Sequence, residues 1–198
     1  MTVADLFQNA LAAHQAGQLE VARGLYEAVL AQEPTHLHSL ANLSSLELTV
    51  GRLDQALTYN LQALGLAPKE PVLYYTSGLI LSKLRRPHDA LLQYEQAIAL
   101  QPQQAQFHAS RGTALHELSR YAEARQSHDT AIALAAGEAE FYNNRGNTLG
   151  CLQLVDEAIQ DYDMAIARRP DFAEAHWNRA TLQILHGDWR QGFKGYEW

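Results

Sequence analysis

The stretch AEFYNNRGNTLGCLQLVDEAIQDYDMAIARRPDF, residues 139–172, decides the fold, because its landmarks recur along the chain every thirty-four residues. Its small residue Ala158 has counterparts at Ala22, Ala56, Ala90 and Ala124, and Gly192 stands where the next alanine is due. A fixed period in the range of roughly 20–50 residues marks a repeated supersecondary unit that cannot bury its apolar face alone and stacks on its neighbours. The architecture is a stack.

Other positions keep the same register. Proline closes the repeat at Pro34, Pro68, Pro102 and Pro170, with Ala136 as the one substitute, and four residues after the small residue stand Tyr26, Tyr94, Tyr162 and Tyr196, with Asn60 and His128 as departures. Twelve residues before it come Gly78, Gly112 and Gly146, replaced elsewhere by Ala10, Ser44 and Ala180. Such small groups let two helices approach closely. Within 139–172, Phe141, Tyr142, Leu149 and Leu152 mark a first amphipathic helix, and Val155, Ala158, Ile159, Tyr162 and Ile166 mark a second. Glycines in AGQ at 16–18, VGR at 50–52 and HGD at 186–188 fit the left-handed residue that ends a helix. No strand pattern survives this assignment, so the chain is expected to be all-α.

These landmarks resemble the tetratricopeptide repeat family, whose unit carries small residues at positions 8 and 20, an aromatic at 24 and proline at 32. The resemblance spans the chain as one domain, 1–198, with repeats at 3–36, 37–70, 71–104, 105–138 and 139–172 and a partial sixth at 173–198. Repeat 1 departs most, with Asn9 and Ala10 where later repeats read Arg-Gly, as expected of a terminal cap. The family implies a right-handed α-solenoid, a superhelix whose concave wall is lined by the first helices. It also implies a scaffold that binds an extended peptide or a partner protein there.

Read in register, position 6 supplies Gln8, Asn42, Thr76, Ser110, Asn144 and Asn178, a line of short polar groups. It resembles, in part, the asparagine ladder in the repeat arm of O-linked N-acetylglucosamine transferases. A carboxamide both donates and accepts, so spaced asparagines suit an extended backbone of almost any sequence. The expected peptide groove comprises Asn42, Tyr75, Asn143, Asn144, Asn147, Trp177 and Asn178, with Phe7, Thr113, His116, Lys83 and Glu117 as further wall positions. The family's carboxylate clamp needs Lys or Arg at positions 2 and 6, and position 2 here reads Ala4, His38, Val72, Gln106, Glu140 and Glu174, so that clamp is absent.

Arg111, Arg145 and Arg179 share position 7, and eighteen residues after each lies an acid: Asp129, Asp163 and Glu197. That spacing predicts an ion pair inside each repeat rather than a ligand site. The histidines offer no His-Glu-x-x-His string and no set of three or four converging ligands, so no metal site is expected, and His108, His176 and His128 read as core or half-core rings. The lone Cys151 reads as a packing or groove-lining thiol.

Fifteen basic against twenty-two acidic residues argue against nucleic acid as a partner. No phosphate loop, nucleophile elbow or paired-carboxylate motif occurs, so neither catalysis nor a cofactor is expected. MTVADLFQNA lacks the basic and apolar segments of a secretory signal, which makes the cytoplasm the expected compartment, without membrane insertion. The closing HGDWRQGFKGYEW begins a second helix whose Trp189, Phe193, Tyr196 and Trp198 have no following repeat to cover them. It resembles the junction at which such repeats precede a glycosyltransferase domain in bacterial proteins. Two further expectations follow: a substrate-recognition arm of a longer transferase, and homo-oligomerisation through that bare end.

Overall fold

The structure, a computed structural model, describes residues 1–195. Twelve helices follow one another: α1 (Val3–Gln15), α2 (Leu19–Gln32), α3 (Leu37–Val50), α4 (Leu53–Leu66), α5 (Pro71–Lys83), α6 (Pro87–Leu100), α7 (Ala105–Glu117), α8 (Tyr121–Leu134), α9 (Ala139–Cys151), α10 (Val155–Arg168), α11 (Ala173–Leu185) and α12 (Trp189–Gly195). Each expected repeat is a helix pair, and no strand occurs among the described residues. The helices gather into two compact halves, Met1–Leu100 and Gln101–Trp198. Within each half the two helices of a repeat pack together and the second helix packs on the first helix of the next repeat.

The recurring small residues explain that packing. Ala22, Ala56, Ala90, Ala124 and Ala158 are all fully buried at the crossing of the two helices, and Gly192 is buried at the same place in α12. Opposite, the ring at position 24 lies flat against the glycine at position 8. A Cβ on Gly146 would meet the Tyr162 ring at 2.7 Å, and one on Gly112 would meet the His128 ring at 2.5 Å. A larger residue there would force the helices apart.

Helix ends follow local chemistry. α1 opens with a capping box in which Thr2 and Asp5 satisfy each other's backbone amides. The left-handed turn residue is glycine at Gly17, Gly51 and Gly187, as expected, but Arg85, Ser119 and Gln153 hold it in the three middle repeats at φ near 60°. Tertiary packing overrides the preference for glycine there. The second helices stop two residues before each repeat's proline, with the intervening residue extended, as at Glu33 (φ -135°) and Arg169 (φ -135°). Ala135 adopts the same conformation (φ -148°) although Ala136 follows it, so packing imposes the break even where proline is missing.

A seam of polar contacts ties three of the proline turns to the next first helix. Tyr74 Oη donates to the Pro68 carbonyl at 3.1 Å, and His108 Nε2 and His176 Nε2 reach those of Pro102 and Pro170 at 2.8 and 3.0 Å. Those two histidines are therefore half-buried and buried rings with a fixed structural partner. At Ala136 the carbonyl instead accepts from Arg168 Nε at 2.6 Å, while the same guanidinium lies 4.1 Å over the Tyr142 ring.

The arginine pairing differs from the spacing of eighteen. Arg145 forms a two-pronged contact with Asp161, sixteen residues on, with Nε and Nη2 each 2.7 Å from a carboxylate oxygen. Its Nη1 reaches back to Asp129 of the preceding repeat at 2.7 Å. Asp163 serves Arg179 of the following repeat at 2.5 Å, and Arg111 donates to Ser127, again sixteen residues on, at 2.6 Å. The two helices run antiparallel, so position 7 faces position 23 of its own repeat and position 25 of the one before. Glu197 lies outside the described residues. In the other half, Glu47 is a buried acid held between Arg23 and Arg52, each at 3.3 Å.

Candidate functional site

In the carboxy-terminal half α9 touches both α7 and α11, so the three first helices form a continuous wall. Their register places positions 9 and 12 of one repeat beside positions 2, 6 and 9 of the next. An open cleft of about 520 Å³ lies on this wall, lined on α9 by Asn147, Gly150 and Cys151 and on α11 by Glu174, Asn178, Thr181, Leu182 and Leu185, with His116 and Tyr162 at its base.

A network of side chains orders the cleft. Tyr162 Oη donates to Asn147 Oδ1 at 2.8 Å, and burial pushes this phenol well above its usual range, so it remains a donor. Asn178 Nδ2 donates to Asn147 Oδ1 at 3.0 Å and to Asn143 Oδ1 at 3.1 Å, and Asn143 Nδ2 donates to Glu174 Oε1 at 3.0 Å. Neighbouring first helices are thus locked by their own carboxamides. The arrangement leaves Asn147 Nδ2 and Asn178 Oδ1 on a preformed surface, and Glu174 is the one charge lining the cleft. His116, half-buried beside it, shares a hydrogen bond between Nδ1 and Thr148 Oγ1 at 3.1 Å, and burial lowers its pKa.

The seven residues expected from sequence separate by place. Asn147 and Asn178 line the cleft; Asn144, with Asn147, lines a smaller cavity beside it. Asn143 is buried, with both ends of its carboxamide spent inside the protein, so it supports the wall rather than facing out. Trp177 is 57% exposed on α11. In the amino-terminal half Asn42 is half-buried on α3, and Tyr75 on α5 rests its ring 5.9 Å from that of Tyr94. Cys151 is exposed in the cleft wall.

Sequence reasoning missed Tyr162, Thr181 and Leu182. Tyr162 carried a packing signal that hid its hydroxyl, and the other two occupy wall positions without a distinctive residue type. Among the described residues no group of three or more His, Cys, Asp or Glu stands close enough to hold a metal ion. Nor is any helix there long and apolar enough to cross a membrane.

A helix-pair stack with a small residue at each crossing and a polar first-helix wall defines a repeat scaffold. The family model for the tetratricopeptide repeat matches residues 7–71 and 75–140, and the chain belongs to that family. Its members mediate protein–protein interactions and are generally non-catalytic scaffolds. No curated protein matches the sequence.

Solved structures share the fold at low identity. A tetratricopeptide repeat protein from Parabacteroides merdae superimposes with a TM-score of 0.87 at 19% identity, over 98% of this chain and 77% of that one. PilF of Pseudomonas aeruginosa gives 0.82 at 17% identity, over 98% and 88%. YrrB, described as a TPR protein with an unusual peptide-binding site, gives 0.69 at 19% identity, over 87% and 89%.

Proposed function

We propose that this protein is a peptide-binding interaction module, and that its first-helix wall grips an extended segment of a partner protein. The observation that carries this reading is the preformed carboxamide network of Asn143, Asn147 and Asn178 under an open cleft. Side chains already fixed by neighbours lose little entropy when a ligand arrives, and outward amide groups match the alternating donors and acceptors of an extended backbone. The cleft carries one acid and no lining cation, which favours an uncharged to mildly basic segment. The relative with a peptide-binding site in its description shares this fold and supports the same reading. Selection of displayed random peptides, followed by fluorescence anisotropy, tests it. Peptides should bind the wild type and lose at least tenfold on Asn144→Ala/Asn178→Ala, and unchanged affinity would remove the cleft from the account.

A second reading, self-association, is favoured by the exposed Leu185, Trp189 and Phe193 at the α11–α12 end. It predicts a mass in sedimentation equilibrium that rises with concentration and falls to the monomer in Trp189→Gln/Phe193→Gln. A constant monomer mass in the wild type would end it.

A further inference from the structure

Position 24 holds tyrosine in three of the described repeats, and its hydroxyl end always reaches a first-helix side chain. Tyr26 Oη meets His14 Nδ1 at 3.3 Å, Tyr94 Oη meets Ser82 Oγ at 3.2 Å, and Tyr162 Oη meets Asn147 Oδ1 at 2.8 Å. The first two partners stand at position 12 and the third at position 9. Repeat 4 has His128 instead, a ring too short to reach that far. A cavity of about 70 Å³ is left at that spot, lined by Thr113 at position 9, His116 at position 12, His128 itself, and Asn144 and Asn147 from the next repeat.

Every wall residue of this cavity is polar. His128 is fully buried, and neither of its ring nitrogens has a hydrogen-bond partner. Burial, with the nearby charges of His116 and Arg145, holds its pKa down at about 4, so the ring is neutral near pH 7 and offers one donor and one acceptor. Buried polar groups are rarely left unpaired without a reason. The cavity has roughly the bulk of two waters, at about 30 Å³ each. It shares His116 and Asn147 with the larger cleft and so branches from it.

We propose that the cavity over His128 is a specificity subsite that takes a short, uncharged hydrogen-bonding side chain, the hydroxyl of Ser or Thr or the carboxamide of Asn, from the segment lying in the cleft. This rests on the peptide-binding reading. Such a guest restores the hydroxyl contact that tyrosine makes in the other repeats, donating to one group and accepting from another. A carboxylate can only accept, and the nearest fixed cation, Arg145, is already paired with Asp129 and Asp161. An apolar guest would leave both imidazole nitrogens unpaired.

The test uses the whole chain, ¹⁵N-labelled at histidine and asparagine, titrated with blocked single residues, the N-acetyl methylamides of Asn, Ser, Ala and Asp. His128→Tyr assigns the His128 signals by their loss and fills the cavity with the residue that repeats 3 and 5 already place over Gly78 and Gly146. Blocked Asn and Ser should shift the His128 ring nitrogens saturably and at least fivefold more tightly than blocked Ala or Asp. The Asn144 and Asn147 side-chain amides should follow in the wild type and stay still in His128→Tyr. Thr113→Val, which keeps the imidazole, should weaken the response severalfold. No shift with any probe, as for waters trapped in the cavity, would overturn the proposal. So would equal response to blocked Ala, tighter binding of blocked Asp, or amide shifts that persist in His128→Tyr. Displayed peptides that fail to bind while blocked Asn still titrates His128 would sink the cleft reading and spare the subsite.

Discussion

The arginines at position 7 pair with carboxylates both buried and exposed, and burial decides which matters. Asp161 is 5% exposed and accepts two parallel hydrogen bonds, whereas the side chain of Asp163, on the next repeat's arginine, is 53% exposed. Removing a buried partner strands a charge, while a surface pair is largely screened. Urea unfolding should show Asp161→Ala losing about 2–4 kcal/mol and Asp163→Ala less than about 1 kcal/mol. Equal losses would mean that burial does not rank the two. The spacing of eighteen could not reveal this, because position 23 reads Leu25, Tyr59, Gln93, Ser127, Asp161 and Gly195 and carries a single acid. A search for periodic charge passes over a pair made once.

His128 supplies the pH dependence at the same scale. The folded ring titrates near 4 against about 6.5 when unfolded, mainly through burial, with His116 and Arg145 adding to the depression and Asp129 opposing it. The unfolded chain therefore binds the proton first, and stability falls as pH drops from about 6.5 to about 4. The loss is on the order of 3 kcal/mol. His128→Tyr should flatten that part of the stability profile, and a slope unchanged in the variant would place its origin elsewhere.

Among the elements, the turns inside the repeats show what propensity could and could not predict. Glycine marked the turns at Gly17, Gly51 and Gly187, but Arg85, Ser119 and Gln153 adopt the same left-handed backbone. Their helices were legible from apolar period and phase alone, while their turn chemistry was not. L-residues pay a steric penalty in this region that glycine escapes. Gln153→Gly, at an exposed turn beside the cleft, should stabilise repeat 5 by about 0.5–1 kcal/mol, after the extra freedom of glycine in the unfolded chain is subtracted. Thermal melting followed by circular dichroism reads the change, and a lower midpoint would refute it. Proline carries the complementary lesson: Ala135 breaks its helix without one, because the next first helix must turn back onto the stack.

For the molecule as a whole, the period of thirty-four residues was sufficient for fold and phase. Each small residue at position 20 is buried where the register puts it, and the family match, over residues 7–71 and 75–140, spans the first four repeats read from sequence. The wall was legible in part. Asn147 and Asn178 could be placed from position numbers, but which carboxamides face outward depends on pairing between neighbouring helices, and that pairing consumed Asn143. His128 read as a packing ring because its burial follows from register. The hole beside it is visible only when the missing tyrosine hydroxyl is set against the partners it finds in other repeats.

The central claim is that partners are held on the first-helix wall rather than on the exposed faces of the second helices. A photo-crosslinking amino acid at Thr181, in the cleft, and separately at Met164, exposed on α10, tests it directly with a peptide selected against the wild type. Crosslinking at position 181, competed away by unlabelled peptide, with little at position 164, is the expected result. Competed crosslinking at 164 with none at 181 would contradict the account.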